Sequence, residues 1–498
     1  MAISIWNLFL NKIRSKPHQQ DIADPSPELA RQFKRWQIRI MLGMMGGYAF
    51  FYCVRKNISM AIPGLQAEFG FSNTQTGMIL TATSLIYGLG KFLNGILADR
   101  ANPRWFMAVG LILSAIINLC FGMSSVFWAF LVLWLLNGWA QSMGWPPCAT
   151  LLTSWYESKN LASWWGLWNA SHQIGGAVIL VAGGYLVSEY GWRSVFIVPA
   201  FLALLGALWI ILLLRDRPQS MGFPSADQVQ AFVDGQHNPS MPPPEDTTEK
   251  SSTEASLHQH ENEIQEILQE NPQENTQENT QENPQEAPES AKEQVYRYIL
   301  SNPLIWLVSF GNLFVYIVRI GMLDWAPTFL SNARNLDIKQ AGWVTAALEI
   351  AGILGGLLAG ILADRLLKNR YSLVNAIYMA GLIVSLYILY AYPMQGITAN
   401  AFMLSFIGFL VYGPQMLTAV SAADYAPRHC SATATGFNGL FGYIGASIAG
   451  VGTGWCVDHY GWNGGIMFYL IAALLGLSLF MIAHYLHEKR AQTSSAIH

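Results

Sequence analysis

Two arginines in apolar surroundings are the residues whose chemistry most needs an account. Arg55 lies in GGYAFFYCVRKNISM, residues 46–60, and Arg319 in YIVRIGMLDWAPTFL, residues 316–330. A cation near the middle of a membrane-crossing helix costs about 2.5–3.5 kcal/mol on insertion scales, so each must do something that offsets this. Arginine stays charged and presents a planar fork that fits a phosphate bidentately. A phosphate ester near neutral pH carries about 1.5–2 negative charges, so two guanidinium groups and one phosphoryl group match in charge and geometry. The competing account is a pair of structural ion pairs, Arg55 with Glu349 and Arg319 with Asp324. It leaves unexplained why both arginines follow Tyr-x-Val.

Other polar groups share this apolar setting. Lys91 either reaches the same anion or snorkels to the membrane surface. His172, in WNASHQIGG, is either a satisfied core residue or a hydrogen-bonding group whose charge varies near neutral pH. Tyr48, Tyr52, Tyr316, Tyr412 and Tyr443 offer hydroxyls to a cavity, and Trp139, Trp168, Glu349 and Asn438 complete the candidate lining. The cysteines Cys53, Cys120, Cys148, Cys430 and Cys456 show no metal-ligand spacing and read as small apolar residues. No nucleophile–base pair, metal motif or phosphate-cradling loop is present, which argues against an enzyme. No cofactor, metal or nucleic-acid partner is expected.

The elements that must position these groups are membrane helices. Of 498 residues, 52% are hydrophobic and 12% charged, against about 25% charged in soluble domains. Mean hydropathy is only +0.29 because one polar segment dilutes the rest. Twelve apolar segments are long enough to span a bilayer. Six are 38–62, 75–97, 105–123, 126–150, 164–187 and 193–214; six more are 304–330, 341–363, 372–391, 399–421, 431–456 and 463–486. The expected fold is all-α, twelve transmembrane helices in two pseudo-symmetric six-helix bundles. Lysine and arginine concentrate before residue 40, after the second and eighth spans and in the tail, which places both termini and the central linker in the cytoplasm. The expected setting is a bacterial inner membrane, with a monomer in the lipid bilayer. The start, MAISIWNLFLNKIRSK, is short, amphipathic and basic, and reads as a membrane-surface segment rather than a cleaved signal.

The domain reading is a cytoplasmic segment 1–36, a bundle 37–215, a linker 216–302, a second bundle 303–487 and a tail 488–498. The linker holds a tandem repeat, QENPQENTQENTQENPQEAP at 269–288, acidic and without aromatics. It reads as disordered, since it has nothing to bury. The halves echo each other. GILADR occurs at 95–100 and 360–365, YCVR at 52–55 returns as YIVR at 316–319, and YGW at 190–192 returns at 460–462. Three echoes at nearly one offset indicate a parallel repeat, which places a ligand site near the midplane between the halves. Arg55 and Arg319 then face each other across the axis. Asp99, Arg100, Asp364 and Arg365 end helices on the cytoplasmic side and read as gate residues.

These stretches resemble the major facilitator superfamily. The loop GILADRANPRWFMAVG is similar to its signature between helices two and three. More narrowly, FYCVRKN, YGLGKF, SMGWPPC, WNASHQIGG, RDRPQSMG, YIVRIGMLDWAPTFL, YGPQML and TGFNGLFGYIGAS together resemble the organophosphate:phosphate antiporter family over nearly the whole chain outside 220–290. The resemblance implies exchange of an organic phosphate, such as glycerol-3-phosphate or a hexose phosphate, for inorganic phosphate by alternating access. It implies phosphate binding by Arg55 and Arg319, and maps the family's helix-two lysine and helix-five histidine onto Lys91 and His172. MGWPPC and GMLDWAPTFL look like glycerol-3-phosphate transporters, whereas LLTSWY and WWGLWN look like hexose-phosphate sensors. Thr435 and Asn438 stand where hexose-phosphate transporters carry an Asp and a Lys on helix eleven. Two alternatives remain open: a sugar-phosphate sensor that signals to a kinase partner, and a proton-coupled organic anion symporter.

Overall fold

The computed structural model describes residues 26–99, 101–235, 296–367, 370–427 and 430–497. Among these residues the chain is helical with short connections. In the first half the helices are α1 (Pro27–Cys53), α2 (Ile58–Phe69), α3 (Asn73–Asp99), α4 (Pro103–Gly122), α5 (Phe127–Ser142), α6 (Trp145–Trp155), α7 (Leu161–Tyr190), α8 (Ser194–Leu213) and α9 (Ala226–Val233). The second half has α10 (Pro303–Arg334), α11 (Ile338–Ile361), α12 (Tyr371–Ala391), α13 (Ile397–Asp424) and α14 (Ser431–Ile497). Among the described residues, eight helices are long and apolar enough to cross a membrane, and one of them, in α14, runs through the last two expected spans. The others fall short for identifiable reasons. The first expected span is split into α1 and α2, the fourth into α5 and α6, and α3 carries Asn73, Gln75, Lys91 and Asn94.

The split of the fourth span is local chemistry. Pro146 and Pro147 occupy the first turn of α6, where a proline cannot continue a preceding helix because it lacks an N–H and its ring strikes the carbonyl four residues back. The split of the first span corrects the expected continuous 38–62 helix and is made from a distance. The backbone unwinds at Val54–Asn57. The Val54 carbonyl accepts from Asn118 Nδ2 at 3.0 Å and Asn137 Nδ2 at 3.1 Å. Asn57 Nδ2 donates to Asn118 Oδ1 at 2.7 Å and to the Val195 carbonyl at 3.0 Å, and Asn57 Oδ1 accepts from Ile58 N. A buried break is tolerated because its polar groups find partners.

The YGW echo has a physical cause. Gly191 and Gly461 both have positive φ, 79° and 66°, a backbone state that favours glycine. Each turns the chain out of one long helix into the next; at Gly461 this bends α14.

The halves meet at one end and part at the other. At the closed end α3 packs along the first part of α14, and α7 along α11. A Cβ on Gly454 would lie 2.2 Å from the Asn73 carbonyl oxygen, one on Gly77 2.5 Å from that of Gly450, and one on Gly342 2.4 Å from that of Leu180. Only glycine allows such contact. Asp458 takes hydrogen bonds from the backbone N–H groups of Asn73 and Thr74 at 3.0 and 2.7 Å, capping α3 from the other half. Lys339 pairs with Glu189 across the same seam at 2.5 Å. On the rim the Arg193 guanidinium and the Trp192 indole bond to Glu68 and hold its carboxyl below the usual carboxylate range. Towards the other end, Gly95 of α3, Gly166 of α7 and Gly436 and Gly439 of α14 have no described atom within 4 Å of a built Cβ. That open end carries the start of α1 at Pro27, the end of α14 at Ile497 and both flanks of the linker.

Three boundaries shift. The 1–36 segment is already helical from Pro27, and α14 extends through the expected tail to Ile497. The 216–302 linker is folded at its start. Phe223 packs edge-on to Phe33 at 5.8 Å, α9 carries a Ser225–Gln228 capping box, and Ser158 bonds to Asp227. Residues 236–295, with the repeat at 269–288, lie outside the described residues.

Candidate functional site

A cavity enclosing about 150 Å³ lies between the halves. Four cationic side chains line it: Arg55, Lys56 and Lys91 from the first half, and Arg319 from the second. Among the described residues its only lining carboxylate is Asp324. Tyr48, Tyr52, Tyr316, Tyr443 and His172 line it too, as does Tyr87.

The break between α1 and α2 sets Arg55 at a helix end instead of mid-helix. Its guanidinium carbon lies 4.0 Å from the centre of the Tyr87 ring and 5.6 Å from that of Tyr52. Ring faces attract a cation but leave its N–H donors free. Among the described residues the Arg55 guanidinium has no hydrogen-bond acceptor and no carboxylate. Arg319, on the unbroken α10, is held differently. Its Nη2 donates to the Tyr412 hydroxyl at 3.2 Å, and that hydroxyl donates to a Glu349 oxygen. Among the described residues Arg319 Nε has no partner. Its guanidinium also lies 4.7 Å from the Tyr412 ring centre and 5.7 Å from that of Tyr316.

Neither of the ion pairs considered from the sequence forms. Asp324 bonds instead to Lys56 Nζ of the other half at 2.5 Å, with Ser59 Oγ at 3.4 Å. The Arg319 and Asp324 side chains both line the cavity, but five residues apart on the continuous α10 they are not the three- or four-apart neighbours that pair along a helix. The unwound backbone at Val54–Asn57 turns Lys56 towards Asp324. Glu349 is engaged by Tyr412 rather than Arg55.

Lys91 does not point to a membrane surface. Its Nζ lies 3.9 Å from the centre of the Trp145 ring, on the cavity wall. His172 Nδ1 faces the Asn169 carbonyl at 2.7 Å. A carbonyl only accepts, so Nδ1 carries a hydrogen and Nε2 is the nitrogen left for a ligand. The ring sits among Tyr48, Trp168 and Tyr52, with centroids at 4.6, 4.9 and 5.2 Å.

Several candidates lie outside the lining. Trp168 is 1% exposed behind Tyr48 and His172. Tyr412 and Glu349 stand behind Arg319. Asn438 is buried, and its carbonyl accepts from Asn312 Nδ2 at 2.9 Å. Trp139 packs near Gly90 and Ser142. Asp364 and Arg365 are exposed in a turn, Leu362–Leu366, at the open end. Asp99 ends α3 there; its side chain, like Arg100, is outside the described residues.

Sequence reasoning missed Lys56, Tyr87, Trp145, Gln173 and Gln415 as lining residues. Two carried a signal. Lys56 is a second charge beside Arg55 in an apolar stretch, and Tyr87 precedes Lys91 by one helical turn.

Comparison with known proteins agrees with this architecture. The profile of the Major Facilitator Superfamily matches residues 44–450. The chain is 35% identical over 478 residues to a protein of Chlamydia trachomatis named probable hexose phosphate transport protein, covering 95% of this chain and 96% of that one. It is 34% identical over 491 residues to the glycerol-3-phosphate transporter of Bacillus subtilis, covering 97% and 99%. It is 33% identical over 462 residues to the membrane sensor protein UhpC of Escherichia coli, covering 93% and 95%. Among solved structures, a bacterial homolog of the human lysosomal transporter Spinster, inward-facing and occupied, superposes with a TM-score of 0.66 at 14% identity, covering 90% and 97%.

Proposed function

The chain belongs to the Major Facilitator Superfamily, in the branch of the organophosphate transporters, and from that premise we propose that it exchanges a small organic phosphate for inorganic phosphate by alternating access. It is an integral membrane transport protein and not an enzyme.

One observation carries the reading: two guanidinium groups from different halves line one cavity, and that of Arg55 has no acceptor among the described residues. Four cations against one lining carboxylate repel one another until an anion enters. A phosphoryl dianion relieves that repulsion, with Arg55 and Arg319 as the two arms of a clamp. Lys91 and the His172 ring stand ready at the cavity wall as further contacts. Because the arms belong to different halves, the anion draws the halves together and lowers the barrier to rocking. An empty carrier keeps the repulsion and rocks poorly, which favours exchange over leak. In this reading the open end faces the cytoplasm of a bacterial inner membrane. Asp99, Arg100, Asp364 and Arg365 meet other helix ends when that side closes.

The test is uptake of labelled phosphate into proteoliposomes. Vesicles preloaded with phosphate take up label, and vesicles loaded with chloride do not, whatever the pH gradient. Equal uptake driven by a pH gradient without internal phosphate overturns exchange in favour of a proton symporter. The likeness to a membrane sensor favours a second reading, in which the same cavity binds a sugar phosphate and a partner kinase reads the conformation. Phosphate binding without any counterflow would be its mark.

A further inference from the structure

A second cleft, enclosing about 590 Å³, opens on the outside of the first half between α1, α7 and α9. It shares no lining residue with the central cavity. Along α1, Lys34, Ile38, Leu42 and Met45 line it at three- and four-residue steps and so form one row of the helix. Arg31, one turn earlier, begins the same row. Ile38 and Leu42 are 56% and 55% exposed, and on a membrane protein such open apolar surface meets acyl chains. From Lys34 to Met45 the helix rises about 16 Å, close to the roughly 15 Å of hydrocarbon in one leaflet. The row therefore has the order of a phospholipid, with charge first and hydrocarbon below it.

The opposite wall adds a buried charge. Glu157 lines the cleft and is 9% exposed. Its Oε2 accepts from the Trp164 indole at 3.3 Å. Among the described residues its other oxygen has no donor and no cation pairs with it. A buried carboxylate left without a cation is costly. The neighbouring Tyr156 hydroxyl donates to the Gln37 carbonyl at 2.6 Å, which ties this wall to α1 one turn from Lys34. The charged end of the cleft thus offers one cation and one carboxylate. A purely anionic head group leaves Glu157 without a partner, and a small soluble ion has no use for the apolar row.

We propose that this cleft is a phospholipid site, selective for a head group that joins a phosphate to a primary ammonium, as in phosphatidylethanolamine. Lys34, with Arg31 beside it, takes the phosphate. The ammonium donates to Glu157, and an acyl chain lies along Ile38, Leu42 and Met45. Val229 and Val233 of α9 form the far side, so the bound lipid joins the folded start of the linker to the first bundle. The site lies outside the phosphate clamp and holds equally for a carrier or a sensor.

The experiment titrates the purified full chain in detergent with phosphatidylethanolamine, phosphatidylcholine or phosphatidylglycerol of identical acyl chains, read by native mass spectrometry. The choline head keeps the phosphate and the positive charge but has no N–H, and the glycerol head has no ammonium. In the wild type, the first phosphatidylethanolamine binds at least about tenfold tighter than either other lipid. Lys34→Gln weakens the first copy of all three about fivefold. Glu157→Gln keeps an oxygen for Trp164, brings phosphatidylethanolamine to the level of phosphatidylcholine and leaves phosphatidylcholine within twofold. Equal binding of the three lipids by the wild type overturns the proposal, and this ranking needs no variant to fold. So does a Glu157→Gln protein that loses all three alike, which marks a structural role, or one that keeps the full margin. Unchanged binding in Lys34→Gln overturns it as well. A wild type that retains no lipid overturns it in favour of residues 1–25 of the same chain as the occupant.

Discussion

In the first half, the helix that carries Arg55 breaks at Val54–Asn57 and is braced by Asn57, Asn118 and Asn137. In the second half, the helix that carries Arg319 runs unbroken over Pro303–Arg334. The residue after Arg55 is Lys56, and the residue after Arg319 is Ile320. Arg55 rests on ring faces, whereas Arg319 is tied through Tyr412 to Glu349. The repeat places the two arginines at equivalent points, and each half then holds its own by different chemistry. The first half supplies three cations to the cavity. The second supplies one cation and the carboxylate that pairs with Lys56 across the seam. An asymmetric cargo, with a phosphoryl group at one end only, suits a scaffold whose halves have diverged in this way.

The largest expected effect comes from the residue with no counterpart. Lys56→Met leaves Asp324 buried and unpaired, which costs about 3–5 kcal/mol. Ile320→Met, the same side chain at the equivalent place, costs under about 1.5 kcal/mol. Unfolding midpoints in detergent compare them, and equal shifts would erase the distinction between the halves. Next comes the brace. Asn118→Leu removes a donor from the Val54 carbonyl and an acceptor from Asn57, for a loss of about 1–3 kcal/mol in the same assay. No change would mean that the break holds itself. The smallest effect separates the two ways of holding an arginine. Tyr412→Phe breaks the link from Arg319 to Glu349 and weakens phosphate binding about tenfold. Tyr87→Phe keeps the ring under Arg55 and loses the hydroxyl's contacts with the neutral Tyr48, at 3.4 Å, and Tyr443, for a change of less than about threefold. Calorimetric phosphate affinities decide, and similar losses in both would show that the arginines are held alike.

The twelve-helix plan was legible because burial in lipid writes itself into composition, and because the YGW turns demand glycine at both copies. Pro146 and Pro147 announced the fourth-span break, yet the expected span ran through it. The break at Val54–Asn57 was not legible. Its braces come from Asn118 and Asn137, far along the chain, and nothing in CVRKN alone asks for them. For the same reason the partner of Asp324 was misread. Five residues along one helix looked close, while the true partner, Lys56, lies in the other half. The repeated GILADR gives a sharper lesson. The first copy stays α-helical to Asp99, and the second leaves α11 at Ile361 for a wider turn at Leu362–Leu366. Identical hexapeptides with different surroundings adopt different local structures. At the site, charge in an apolar stretch found both arginines, Lys91 and His172. The glutamines escaped because neutral polar residues carry no such signal.

The central claim is that Arg55 and Arg319 grip one phosphate from opposite halves. Phosphate counterflow in proteoliposomes bearing Arg55→Lys or Arg319→Lys tests it most directly, because lysine keeps the charge and loses the fork. The account predicts that each substitution alone abolishes exchange. Near-normal exchange in either variant would contradict it.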